Sequence, residues 1–327
     1  MLRSARFARR LVAAASLLLV SLVALPAQAE IPSFVLAWGT AGIGNGEFDR
    51  IAGIAVGSDG SVYVADSDQT RISRFSPDGK YLLSWGFGTN EIERPVGLAT
   101  DRHGNVFVTD YYRHQILRYS ADGVGEATWG QYGSEPGQMK YPSDIEVDPD
   151  GNVVVVDQFN NRLQRFTRDG EFIAAFGDTG VADGGLDHPF GIAIDGDGNL
   201  YVSDQNHRRI QKFDRDGKFL TKWGSEGAGP GQFIYPTGIA VDRDRNVFVV
   251  DTFNNRVEIF SESGAFVGEF GSAGALDGYF NFPINIAIGD DFANYVGDRD
   301  NYRIQKFSSR VTPVIATTWG RIKNLYR

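Results

Sequence analysis

Two acidic side chains and one amide are the residues of this chain whose types and spacing best suit chemistry. Asp144 and Glu146 are two positions apart in a β-type segment, so both side chains point to the same side of the strand. Asn285 occupies the position equivalent to Asp144 in a later copy of the same segment. Carboxylate and amide oxygens are ligands of hard cations such as Ca²⁺. The three residues therefore predict a site for one Ca²⁺ or another divalent cation, or for a polar ligand. The alternative is that the carboxylates are hydrated or paired with a basic group.

Other catalytic arrangements do not converge in the sequence. Cysteine is absent, which excludes thiol chemistry and disulfides. There is neither a Gly-x-Ser-x-Gly elbow nor a convincing Ser–His–Asp set. The four histidines are spread along the chain: His103, His114, His188 and His207. The sequence therefore favours a binding protein over an enzyme, with a metal-dependent hydrolase or lyase as the alternative.

The elements that position these residues recur at a fixed period. Six segments end in Asp before a polar loop, and they read YVADSDQTRI, FVTDYYRHQI, VVVDQFNNRL, YVSDQNHRRI, FVVDTFNNRV and YVGDRDNYRI. Their aspartates are spaced by 44 residues once and then by 47: Asp66, Asp110, Asp157, Asp204, Asp251 and Asp298. An aromatic residue followed by Gly repeats in the same register. We call these aspartates the repeat Asp residues.

Each repeat predicts four short strands, which we call a to d. In the third copy they cover 144–147, 153–156, 162–166 and 171–176, with Gly-containing turns between them. Four short strands repeated every 40–50 residues are typical of a propeller. We therefore predict an all-β fold, a six-bladed β-propeller of four-stranded antiparallel blades. Either 34–38 or 314–319 could supply the last strand of blade six, and we expect the N-terminal one.

The inner strand, strand a, carries the unusual residues. Thirteen positions before the repeat Asp, four blades have Gly, blade three has Asp144 and blade six has Asn285. Eleven positions before it, five blades have Ala and blade three has Glu146. Blades three and six are opposite each other in a six-membered ring. We therefore expect Asn285 to approach the two carboxylates across the central channel.

The b–c and d–a loops leave a propeller on one face, and this face is the predicted binding surface. Its candidate contact residues are aromatic, Arg and His side chains of the b–c loops: Tyr111, Tyr112, Arg113, His114, Phe159, His207, Arg208, Phe253, Arg299 and Tyr302. Packing within the repeated FNNR motif is the alternative for Phe159 and Phe253. The recurring Asp and Arg of the motif Asp-x-x-x-x-Arg predict a repeated structural ion pair, for example Asp157 with Arg162 and Asp251 with Arg256.

The segments YVADSDQTRI, VVVDQFNNRL and FVVDTFNNRV, with GIAVD-type inner strands and aromatic-Gly endings, resemble the NHL repeat family over residues 34–320. The resemblance implies a six-bladed propeller and, in many members, a platform for proteins, carbohydrates or RNA. One relative, the peptidylglycine α-amidating lyase, holds zinc with histidines that follow the proline opening strand a. The matching positions here lack histidine: Ala52, Val96, Ser143, Phe190, Thr237 and Ile284.

The N-terminus predicts export. Four arginines precede an apolar run and the small residues Ala27-Gln28-Ala29, which is typical of a signal peptide cleaved after Ala29. An uncleaved membrane anchor is the alternative. Residues 30–327 would then form a single propeller in the periplasm or outside the cell. This mature chain keeps 28 basic and 41 acidic residues, a net charge of −13, which disfavours nucleic acid. We expect a monomer without a membrane span that recognises a protein, peptide or glycan.

Overall fold

The chain folds into six four-stranded antiparallel sheets arranged as the blades of a propeller. The computed structural model describes residues 30–86 and 91–309. Within them there is no α-helix, and no helix long and apolar enough to cross a membrane. Three short 3₁₀ turns occur in b–c loops: Gln158–Asn160, Thr252–Asn254 and Arg299–Asn301. The predicted fold class is confirmed.

The strand bounds follow the repeat. In each blade the strands are given from the inner to the outer one. Blade one contains Ile51–Val56, Val62–Asp66, Arg71–Phe75 and Tyr81–Trp85, and blade two contains Pro95–Thr100, Val106–Asp110, Gln115–Tyr119 and Gly125–Trp129. Blade three contains Pro142–Val147, Val153–Asp157, Arg162–Phe166 and Phe172–Phe176. Blades four to six contain Pro189–Ile194, Leu200–Asp204, Arg209–Phe213 and Phe219–Trp223; Pro236–Val241, Val247–Asp251, Arg256–Phe260 and Phe266–Phe270; Pro283–Ile288, Ala293–Asp298, Arg303–Ser308 and Ser33–Trp38. A two-residue parallel pair joins Asp178–Thr179 to Gly185–Leu186.

Strand a of blade three begins two residues before the expected start, because Pro142 pairs with Asp157 across a bulge. Strand d begins one residue later than expected, at Phe172.

The N-terminal strand completes blade six. Ser33–Trp38 pairs antiparallel with Arg303–Ser308, and Phe34 faces Phe307. The expected closure by the N-terminal strand is therefore confirmed, and it gives an outer partner to a strand that would otherwise have a free edge. The candidate strand 314–319 and the predicted signal peptide 1–29 lie outside the described residues.

The hydrophobic core lies between neighbouring blades. Trp85, from the outer strand of blade one, contacts Tyr63 of its own blade and Tyr119 of blade two, with ring centroids 6.2 and 5.8 Å apart. A Cβ on Gly123 would lie 2.7 Å from Cδ2 of Trp85, so this turn needs glycine both for space and for its φ of +78°. Burial of such aromatic rings and of the aliphatic side chains packed with them stabilises a chain that has no disulfides.

The inner strands approach each other closely at the position thirteen before the repeat Asp. A Cβ on Gly238 would lie 2.5 Å from Cα of Asn285, and one on Gly53 would lie 2.1 Å from the carbonyl oxygen of Val96. Glycine is required here because adjoining inner strands leave no room for a side chain between them. Asp144 and Asn285 depart from this rule.

A buried hydrogen-bond network surrounds each repeat Asp. In blade three, Asp157 is fully buried, and Oδ1 accepts a hydrogen bond from the backbone N of Lys140 at 2.7 Å. Its Oδ2 accepts hydrogen bonds from Asn160 Nδ2 and Arg162 Nε, both at 2.8 Å, and from Gln164 Nε2 at 3.1 Å. The expected ion pairs are confirmed, since Arg256 also lies 3.5 Å from Asp251. The repeat Asp thus joins the d–a connection, the b–c loop and strand c of its blade.

Candidate functional site

A ring of twelve side chains surrounds the propeller axis on the face of the b–c and d–a loops. Each blade supplies the residue sixteen positions before the repeat Asp and the residue two positions after it. We call this ring the crown; in order around the axis it contains Arg50, Asp68, Arg94, Tyr112, Tyr141, Phe159, His188, Asn206, Tyr235, Phe253, Phe282 and Asp300.

Three crown residues of the second type contact first-type residues of their own blade and of the next blade: Asp68, Phe159 and Phe253. The Phe253 ring lies 4.7 Å from Tyr235 of blade five and 5.1 Å from Phe282 of blade six. Asp68 does the same with charges, since it lies 3.9 Å from Arg50 and 3.1 Å from Arg94. Crown side chains therefore contact each other across the boundaries between blades one and two, three and four, and five and six.

The repeat Asp residues accept hydrogen bonds from the backbone that carries the crown side chains. Asp66 Oδ1 accepts a hydrogen bond from the backbone N of Arg50 at 2.9 Å, and Asp251 Oδ1 accepts one from that of Tyr235 at 3.1 Å. The buried carboxylate of each repeat thus fixes the backbone from which a crown side chain projects. The repeat Asp consequently supports a ring of side chains that differ from blade to blade.

Three crown residues have a left-handed backbone that bulky side chains rarely adopt. Their φ angles are +54° at Tyr141, +49° at His188 and +59° at Phe282. A b–c loop side chain of the preceding blade binds each backbone N; for Tyr141 this is Nδ1 of His114, at 3.0 Å. Such strain persists only where the surroundings impose it, and it concentrates at functional sites.

The crown encloses a cavity of about 420 Å³, which we call the cup. Its lining is apolar at the floor, aromatic on the walls and cationic on one side: Arg50, Ile51, Ala52, Ser67, Arg94, Val96, Tyr111, Tyr112, Gln158, Phe190, Tyr235, Phe253, Phe282, Ile284 and Arg299. No carboxylate is among these residues. The arginines belong to the adjacent blades six, one and two, so the cup has a cationic side.

Two of the three cup arginines lie over aromatic rings. The guanidinium carbon of Arg299 lies 3.9 Å from the centroid of Phe282, and that of Arg94 lies 5.1 Å from the centroid of Tyr112. Burial, together with the nearby positive charge of Arg50, lowers the pKa of Arg299. Burial raises the pKa of Tyr111 to about 12, so this hydroxyl is neutral at physiological pH.

Four of the ten predicted contact residues line the cup: Tyr111, Tyr112, Phe253 and Arg299. Phe159 belongs to the crown and packs between Tyr141 and His188, each at 4.8 Å. Arg208 lies 6.0 Å from the ring of Tyr235, at the rim.

The other four candidates have different surroundings. Arg113 pairs with Glu93 at 3.6 Å and donates to the carbonyl oxygen of Glu91, away from the cup. His114 positions Tyr141, and burial lowers its pKa, which favours the neutral ring that accepts this hydrogen bond. Nδ1 of His207 lies 2.9 Å from Asp204 and belongs to that repeat Asp network. Tyr302 is not a cup residue.

Sequence reasoning missed the residue that precedes strand a. Six such positions alternate with the b–c loop residues in the crown, and two of the three cup arginines, Arg50 and Arg94, are among them. A signal was present, since every residue sixteen positions before a repeat Asp is Arg, His or aromatic. The b–c loops alone therefore describe only half of this surface.

A second cavity, of about 220 Å³, lies in the channel between the inner strands and brings Asp144, Glu146 and Asn285 together. Asp144 Oδ2 accepts a hydrogen bond from the backbone N of Ile192 at 3.1 Å, and Glu146 Oε1 accepts one from Val147 N at 3.0 Å. Burial raises the pKa of Asp144 to about 8 and that of Glu146 to about 7. Both carboxyls are surrounded by protein, although part of Glu146 faces the cavity.

These donors are few for a protein-only calcium cage. Two carboxyls and one amide fall short of the six to eight oxygens that Ca²⁺ takes, so water would have to supply the rest. Among the described residues, no group of three or more His, Cys, Asp or Glu side chains could hold a metal. With these pKa values a cation would also have to displace protons. The channel metal site stays a prediction.

Two family models match the chain. Residues 48–230, more than half of it, match the model of the Teneurin NHL domain, and residues 193–270 match a model described as a 6-bladed beta-propeller. The chain belongs to the NHL propeller family. No curated protein matches this NHL propeller.

Solved structures share the fold of this NHL propeller at low sequence identity. A streptogramin B lyase is 15% identical, with a TM-score of 0.61 over 82% of this chain and 95% of its own. A gluconolactonase from Xanthomonas campestris is 18% identical, with a TM-score of 0.59 over 81% and 87%. A chain of a nidogen/laminin complex is 22% identical, with a TM-score of 0.54 over 67% and 79%. Enzymes and binding proteins are both among them, so the likeness establishes the fold and not the activity.

Proposed function

We propose that this chain is an exported, non-catalytic binding propeller that recognises a peptide segment of a protein partner at the cup. The observation that carries the proposal is the composition of the cup, in which aromatic rings and three arginines surround an apolar floor without a carboxylate. Aromatic residues and Arg are the usual anchors of protein interfaces. The volume of about 420 Å³ is within the range of specific ligand pockets.

Exposure of large rings supports this proposal. Tyr112 is 46% exposed and Phe253 is 48% exposed, although Tyr112 contacts the ring of Tyr111 and Phe253 contacts that of Tyr235. Apolar surface that remains open to water around a preformed cavity favours association with a partner. The repeat Asp contacts and the constrained backbone of the crown favour a rigid site, which lowers the entropy cost of binding.

The variant Tyr112→Ala/Phe253→Ala tests the cup. We expect peptides selected from a random phage-displayed library on the wild-type protein to bind this variant at least about tenfold more weakly, because two aromatic walls are lost. Affinities are measured by isothermal titration calorimetry. Both side chains are half-exposed, so the fold should persist, and circular dichroism checks this.

The matched control is Phe172→Ala/Phe266→Ala, which removes two rings of comparable exposure from outer strands. It should leave peptide affinity unchanged. Selected peptides that bind the cup variant as tightly as the wild type would contradict the proposal. The proposal would also be contradicted if the peptide library yielded no ligand while a glycan array yielded one that the cup variant no longer binds.

Export rests on the N-terminal sequence pattern. We expect the protein recovered outside the cytoplasm to begin at Glu30, as measured by N-terminal sequencing and intact mass. Recovery of a chain that retains residues 1–29 in a membrane fraction would instead support an anchor.

The alternative is a metal-dependent hydrolase or lyase that uses the channel. The observation in its favour is that Asp144 and Glu146 have pKa values of about 8 and about 7, close to the range of general acids and bases. We expect metal analysis and native mass spectrometry of residues 30–327 to find no stoichiometric divalent ion, in the wild type or in Asp144→Asn/Glu146→Gln. One ion per chain that is lost in the variant would favour the enzyme and justify a lactonase and lyase screen.

A further inference from the structure

We infer that the cup binds a carboxylate attached to a flat apolar body, with the carboxylate on Arg94 and Arg299 and the body against the aromatic walls. This inference rests on the proposed function and names the group that the cup receives. Two sources can supply that group: a free organic acid, or the C-terminus of a peptide that ends in an aromatic residue.

The charge of the cup is the first argument. The chain has 41 acidic and 32 basic residues, yet the cup lining contains three arginines and no acid. Arg50 and Arg94 share one carboxylate, Asp68, and Arg299 pairs with Asp300 at 3.1 Å. Three guanidinium groups therefore face two carboxylates, which leaves this side of the cup with one excess positive charge. Arg50 also repels Arg299, and a bound anion would relieve that repulsion. A concave cationic site in an acidic protein concentrates anions.

The geometry of the arginines is the second argument. Arg299 is stacked on Phe282 and Arg94 lies over Tyr112, so the rings cover guanidinium faces and leave edges for hydrogen bonding. Within the described residues, Arg299 donates only from Nε, to Asp300 at 3.1 Å. Its terminal nitrogens are therefore available for a ligand. Guanidinium edges match the two oxygens of a carboxylate and bind them in bidentate fashion.

The asymmetry of the lining is the third argument. The arginines come from blades six, one and two, whereas Phe190 and Tyr235 come from blades four and five on the other side. The floor between them is apolar and includes Ile51 and Ile284. A ligand that satisfies both sides carries its charge at one end and a flat apolar group at the other. A uniformly polar anion would leave the aromatic side unused.

Two matched pairs of probes test this inference on the full chain. One pair is 2-naphthoate and its neutral amide, 2-naphthamide; the other is acetyl-Gly-Phe as the free acid and as the C-terminal amide. By calorimetry we expect at least one acid to bind about tenfold or more tightly than its amide, because only the acid pairs with the arginines. Binding of naphthoate alone identifies a free organic acid as the source, and binding of the peptide acid identifies a peptide terminus.

The variant Arg94→Gln/Arg299→Gln should weaken the acids about tenfold or more and leave any binding of the amides unchanged. The matched control is Arg102→Gln/Arg168→Gln, at the turns of the opposite face. It should change neither the affinity of the acids nor that of the amides. The inference is overturned if acid and amide bind equally, if the cup arginines do not matter, or if none of the four probes binds. The two ideas can fail separately. If Tyr112→Ala/Phe253→Ala no longer binds the selected peptides but the acids and their amides bind the wild type equally, the proposed function stands and only this inference is overturned.

Discussion

Replacement of Asp157 by Ala is expected to lower the free energy of unfolding by about 3–5 kcal/mol, as measured by urea denaturation. The carboxylate is fully buried and accepts hydrogen bonds from Arg162, Asn160, Gln164 and the backbone N of Lys140. Its removal would leave the Arg162 charge without its partner and several buried donors unsatisfied. Because Lys140 precedes the crown residue Tyr141, the cup would lose rigidity as well.

The control for this prediction is Asp169→Ala. Asp169 is exposed and pairs with Arg118 at 2.6 Å across the boundary between blades two and three. Surface ion pairs contribute little, so this change should lower the free energy of unfolding far less than Asp157→Ala does. Equal losses for Asp157→Ala and Asp169→Ala would show that the buried network does not stabilise the blade.

The second large effect concerns the channel acids and pH. Burial raises the pKa of Asp144 to about 8 and that of Glu146 to about 7, whereas both ionise near pH 4 in an unfolded chain. The folded state therefore binds more protons than the unfolded state between about pH 4 and pH 8. This contribution to stability is fully present below pH 4 and is lost as pH rises through the folded pKa values.

The variant Asp144→Asn/Glu146→Gln removes both titrations and keeps side chains of similar shape. From pH 5 to pH 9 the wild type should lose on the order of 3 kcal/mol of stability more than the variant, since water in the cavity moderates the full effect. Denaturation at several pH values measures the free energy of unfolding of both proteins. The contributions of the other titrating groups cancel in the difference, because both proteins contain them. Parallel pH profiles for the two proteins would mean that the carboxyls are ionised in the folded state.

The repeat made much of the fold predictable. The strands recur in each copy and are built from residues that lie close in sequence. The repeat Asp–Arg pair, such as Asp157 with Arg162, joins residues five positions apart and recurs in five of the six copies. Closure by Ser33–Trp38 was also predictable, because blade six needs an outer strand and the N-terminus carries a matching segment. The strand ends were less certain, since the bulge at Pro142 depends on pairing rather than on residue type.

The binding face was predictable only in part. Tyr111, Tyr112, Phe253 and Arg299 were recognised from the b–c loops, but Arg50 and Arg94 were missed because they precede strand a, far from those loops in sequence. His207 and Arg113 have the residue types of a site, yet they belong to the Asp204 network and to the Glu93 pair. Residue type alone does not reveal which loop side chains face the axis.

The amino-acid sequence by itself determined the number of blades, the order of their strands and the buried Asp–Arg pair that five of the six repeats carry, because these depend on short-range patterns that recur along the chain. Only the tertiary structure decided that residues from different blades form the crown, and that Asp144 and Glu146 are buried in the channel cavity they line with Asn285. Ring closure brings those side chains together, and the resulting burial shifts the pKa values of the two acids. Neither the distances between blades nor the loss of water can be read from one repeat.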